Sequence, residues 1–104
     1  MWKGIKVSSL NEFLVNIRIV WPSDIDPDEV DRLSIAEREM AAERASEGHL
    51  VRMWRVPGRR ENWGLWRASD ATELHEILSA LPVWPFMELS VHALAKHPVD
   101  PTVE

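Results

Sequence analysis

Between Pro27 and Gly48 the chain contains no residue that breaks a helix, and both ends of the stretch are punctuated. Asp26 is placed to cap, Pro27 suits the first helical position, and Glu29 occupies the reciprocal capping-box site. Gly48 provides the left-handed stop just beyond Glu47. A helix over 27–47 is expected, and what flanks it restricts the fold further. Residues 12–21, EFLVNIRIVW, put Phe13, Val15, Ile17 and Ile19 on one face and Leu14, Asn16, Arg18 and Val20 on the other, the period of a strand. Residues 49–56, HLVRMWRV, alternate again, and after Pro57-Gly58-Arg59-Arg60 the stretch 61–68, ENWGLWRA, reads as the hairpin partner. Asp70 caps a second helix with Glu73 three residues on, Leu74, Ile77, Leu78 and Leu81 form its buried face, and Pro82 stops it. Residues 86–95 close the pattern, with Met87, Leu89, Val91 and Ala93 inward and Glu88, Ser90 and His92 outward. The order β-α-β-β-α-β predicts an α+β, ferredoxin-like sandwich: a four-stranded antiparallel sheet with two helices on one face. The expected domain spans 12–98, between an N-terminal extension, 1–11, in which Ile5 and Val7 suit an edge strand, and a tail, 99–104.

Composition narrows the function. A chain of 104 residues buries only a modest core, so self-association is expected to help it. A net charge of −5 lacks the field that holds a phosphate backbone or an anionic membrane, so neither nucleic acid nor membrane is an expected partner. No apolar run is long enough to span a bilayer and no secretory signal precedes the first strand, which predicts a cytoplasmic protein. With no cysteine there is no thiolate nucleophile, thiolate metal site or disulfide. Six tryptophans and no tyrosine point to core filling, or to a wide apolar pocket lined by indole.

Glu37 is the sharpest individual residue. At 100° per residue it falls inside the stripe Val30, Leu33, Met40 and Ala41, so a carboxylate points toward the core. Such burial raises its pKa toward the range of a working base or acid, unless Arg44 or a sheet arginine holds it in a structural ion pair. Arg52 and Arg55, three apart on a strand, point to opposite faces, while Arg59 and Arg60 lie in the turn. An arginine facing a cleft suits a substrate carboxylate. Asn62 is placed either to cap the turn or to donate to a developing oxyanion. His49, His75, His92 and His97 lack any metal-ligand spacing, and neither a GxSxG setting nor a glycine-rich phosphate cradle is present.

Taken together, the DPxxxxxL helix entry with Glu37 downstream, the block from Trp54 to Asn62, LHEILSALPVWPFM at 74–87 and the closing His97-Pro98 resemble the muconolactone Δ-isomerase family over about residues 13–98. The resemblance implies a ferredoxin-like subunit in a ring-like homo-oligomer, with a decamer among the implied assemblies. It implies a cofactor-independent isomerase of aromatic-compound catabolism, in the β-ketoadipate branch, that moves a proton from C4 of muconolactone to C2 to give the enol-lactone. Under that resemblance Glu37 is the catalytic residue, and Arg52, Trp54, Arg55 and Asn62 bind the substrate, one of the arginines taking its acetate arm. Three positions depart from the family pattern: Leu50 replaces an aromatic, Arg52 a histidine and Arg60 a tyrosine. Changes of this kind retune which lactone is accepted and suit a more anionic or substituted butenolide acid. Halide elimination from a chlorolactone, a non-catalytic ligand-binding module and a cofactor-free oxygenase on the same element order are the competing readings.

Overall fold

The structure is a computed structural model that describes residues 10–102; the expectation for Ile5 and Val7 lies outside them. Strand β1 (Asn11–Ile19) is followed by helix α1 (Pro27–Ser46), the hairpin β2 (Leu50–Arg55) and β3 (Glu61–Ala68), helix α2 (Ala71–Ser79) and β4 (Met87–Leu94). The sheet order is β2-β3-β1-β4, with every neighbouring pair antiparallel. Each helix therefore carries the chain past one intervening strand, and the two crossovers interleave as the expected sandwich requires.

The core lies on one face of the sheet. Phe13, Val15 and Ile17 of β1 and Trp66 and Ala68 of β3 meet Leu74, Ile77 and Leu78 of α2 and Leu81 beyond it, all buried. Each large side chain in this cluster contributes roughly 1.5–3 kcal/mol by leaving water. Met40 of α1 packs against the same cluster, so both helices cover one face.

Local chemistry explains the element ends, with some corrections to the sequence reading. Asp26 caps α1 by accepting the N–H of Asp28, but Glu29 does not reach back to complete the box; its carboxylate pairs with Arg32 instead. Gly48 takes φ 88° and Gly58 φ 77°, the left-handed values their turns need. Strand β1 stops at Ile19, before Trp21, and α2 stops at Ser79, before Pro82. A short 3-10 turn, Trp84–Phe86, brings the chain into β4. Val91 pairs with buried Val15 and so faces the helix side as expected, yet on the edge strand it remains 49% exposed.

Asp70 caps α2 by accepting the N–H of Glu73 at 2.8 Å, while Glu73 accepts from Ser69 N–H at 2.7 Å. Asp70→Ala is expected to lower stability by about 1 kcal/mol, read as a drop in the urea midpoint with unchanged slope.

One irregularity decides which side chains meet. Leu50 pairs with Trp66, but Arg52 pairs with Leu65, so Val51 is an extra residue in β2. The bulge resets the alternation. Leu50, Met53 and Arg55 face the helices, and Arg52 and Trp54 face away, whereas strict alternation would place Leu50 with Arg52 and Trp54.

Candidate active site

Glu37 stands midway along α1 with its side chain turned toward the connection between α2 and β4. Its Oε1 accepts the backbone N–H of Val83 at 3.0 Å. Burial raises its pKa above the ordinary 4.5, and the hydrogen bond from Val83 only partly offsets that. No salt bridge reaches it among the described residues; Arg44, the foreseen partner, pairs with Glu47 at 3.1 Å. Val83 is itself 1% exposed, so the amide that holds the carboxylate is anchored in the core.

The sheet brings two further residues to the helix side. Asn62, second in β3, pairs with Ile17, which is 2% exposed and faces the core, and Arg55 is the cross-strand partner of Asn62 on β2. Cross-strand partners share a face, so Arg55 and Asn62 lie on the same side as α1. Arg55 is exposed and makes no salt bridge among the described residues. Helix α1 buries none of its residues completely, and Met53 beside Arg55 remains 43% exposed. This side of β2 is thus open to a ligand.

Arg52 and Trp54 sit on the opposite face, in register with Leu65 and Trp63. There the Arg52 guanidinium lies 4.8 Å from the Trp54 ring centroid, a cation–π pair. Of the five residues singled out in the sequence, the sheet and α1 therefore bring Glu37, Arg55 and Asn62 to one side and leave Arg52 and Trp54 on the other. Arg60 stays in the turn, where it lines a cavity of about 330 Å³ with Arg18, Ile19, Val20, Arg59 and Glu61. Neither that cavity nor one of about 420 Å³ beside Asp26 and Arg32 is lined by Glu37. The histidines are dispersed: His49 bonds the Arg67 carbonyl, His75 meets Trp84 edge-on, His92 lies against Trp63, and His97 accepts from Val99 N–H.

Two features escaped the sequence reading. The Val83 amide carries no side-chain signal, so only the fold shows that it holds Glu37. Trp66 reads as a core residue, yet its Nε1–H and the Asn62 Oδ1 are both buried without a partner among the described residues. The spacing Asn62, Gly64, Trp66 on one face of β3 was the available hint.

Chemically, a desolvated carboxylate with no cationic partner suits proton abstraction, a free guanidinium suits an anionic arm, and an amide suits an oxyanion. Comparison with known proteins identifies the family. The family model described as Muconolactone delta-isomerase matches residues 11–100. A muconolactone Delta-isomerase of Pseudomonas aeruginosa is 34% identical over 86 residues, covering 83% of this chain and 90% of that protein. One from Rhodococcus opacus is 33% identical over 88 residues, covering 85% and 95%. A crystal structure of muconolactone isomerase superposes with a TM-score of 0.83 at 29% identity, covering 89% of this chain and 97% of the other. The chain belongs to the muconolactone delta-isomerase family.

Proposed function

We propose that this chain is a cofactor-independent isomerase that moves a proton from C4 to C2 of muconolactone, or of a closely related butenolide acid, within residues 12–98. The observation that carries this reading is Glu37: an inward carboxylate with a raised pKa, held by a backbone amide and free of any salt bridge among the described residues. Glu37 takes the C4 proton, and the electron pair left behind spreads through the ring to the lactone oxygen as a furan oxyanion. The Asn62 amide donates to that oxygen, which lowers the barrier most where charge develops. Glu37, now protonated, returns the proton to C2, the double bond comes to rest between C3 and C4, and the carboxylate is restored. Arg55 takes the acetate arm and so orients C4 toward the base. Arg52 and Trp54 would reach a ligand only from the far face of the sheet.

The same reading makes the protein a cytoplasmic homo-oligomer of aromatic-compound catabolism. Trp54, Val91 and Leu94, at 42%, 49% and 43% exposure, supply apolar surface for association. No helix among the described residues is long and apolar enough to cross a membrane.

The test is turnover of muconolactone followed by absorbance, with solvent-deuterium incorporation at C2. The rate is expected to fall on the acid side with a midpoint above the ordinary carboxylate value of 4.5, because only ionised Glu37 accepts the C4 proton. Absence of both turnover and C4 proton exchange would overturn the reading.

A further inference from the structure

The two orphaned polar atoms on β3 are complementary. Among the described residues Trp66 Nε1 is a donor with no acceptor and Asn62 Oδ1 an acceptor with no donor, each shielded from solvent. Buried polar groups left in that state cost free energy, so a pair of opposite kind on one strand face calls for an explanation. Gly64 lies between them on the same face. A Cβ added at Gly64 would stand 2.6 Å from Trp66 Nε1 and 3.2 Å from its Cδ1, so the indole leans back along β3 over the glycine, with its N–H edge the part nearest that position. Any larger residue at 64 would occupy the space through which donor and acceptor approach. The terminal amide torsion of Asn62 is broad and low in cost, so its oxygen is free to reorient.

We propose that Trp66 is a positioning residue: its indole N–H holds the Asn62 amide with the oxygen inward, so that the NH2 group faces the α1 side as a fixed donor to the ligand. Gly64 is the gap that permits this. An unrestrained amide presents oxygen or nitrogen with little preference, and the oxygen would repel a developing oxyanion; a restrained one presents only its N–H groups. The catalytic part of this assignment rests on the isomerase reading given above, whereas the amide orientation does not.

Two measurements separate these parts. In the first, kcat and KM for muconolactone are compared for Asn62→Ala, Trp66→Phe and the double variant. Asn62→Ala is expected to lower kcat about 30-fold or more and Trp66→Phe about tenfold, each with KM within about threefold. In the Asn62→Ala background, Trp66→Phe is expected to cost less than about twofold, because the residue it positions is gone. Equal costs in both backgrounds, or no cost in either, would overturn the proposal. Because Trp66→Phe shrinks a core side chain, Gly64→Ala provides the check that keeps the indole: its methyl group displaces the N–H edge and is expected to reproduce the kcat loss.

The second measurement needs no substrate. Among the indole N–H signals of the six tryptophans, the one absent in Trp66→Phe is expected to exchange slowly with water, and to shift and exchange faster in Asn62→Ala. An unchanged signal overturns the proposal. A wild-type protein that fails to turn over muconolactone yet shows this change would remove the isomerase reading and leave the amide orientation standing.

Discussion

Glu37→Gln is expected to lower kcat on muconolactone by about three orders of magnitude or more while leaving the thermal midpoint at neutral pH unchanged or raised. Glutamine is nearly isosteric, and its amide oxygen can still accept the Val83 N–H that Oε1 accepts at 3.0 Å. It cannot take a proton from carbon. The stability side follows from the direction of the pKa. Burial raises the Glu37 pKa in the folded chain, so folded protein binds the proton more readily than unfolded protein does. The favourable contribution is complete below the unfolded pKa and is lost as pH rises through the folded one, which leaves a net cost at neutral pH. Removing the charge removes that cost. A structural carboxylate would behave in the opposite way, with Glu37→Gln lowering the midpoint and sparing the rate. Equal kcat in the two proteins would take Glu37 out of the mechanism.

Arg55 and Arg52 provide the second contrast. Arg55→Ala is expected to raise KM about 30-fold with kcat within a few-fold, since a charge-assisted contact to a carboxylate is worth about 1.5–3 kcal/mol and holds ground state and transition state alike. Arg52→Ala is expected to leave both constants within about twofold. The two arginines stand on opposite faces of β2, Arg55 opposite Asn62 and Arg52 opposite Leu65. Arg52 also already covers the Trp54 ring at 4.8 Å. Matched losses in both variants would mean that the ligand contacts both faces of the sheet, which the single-sided reading does not allow.

Much of this was legible in the residues because it depends on local rules. The alternation of Phe13, Val15 and Ile17 has the period of a strand, and all three are buried. Asp70 with Glu73, and Gly48 after a long unbroken run, mark helix ends through backbone chemistry that needs no distant partner. The inward position of Glu37 follows from helical geometry, and the half-buried side chain bears it out. Reading β2 was harder. A bulge is an event between two strands: Val51 is extra only in relation to β3, and nothing in HLVRMWRV marks it. The same limit applies to Glu29, which suits a capping box by position but pairs with Arg32.

Order of elements, the burial of one helix carboxylate and the family likeness are all written along the chain, since each depends on spacing between near neighbours or on matching blocks. Which groups share the side of the sheet that carboxylate faces is a property of packing. The amide of Val83 reaches Glu37 across 46 positions, the bulge puts Leu50 on the side of Arg55 instead of with Arg52, and the emptiness of Gly64 acquires meaning only once the Trp66 ring lies over it. Contacts of that range are set by how sheet and helices close on one another, and no local pattern encodes them.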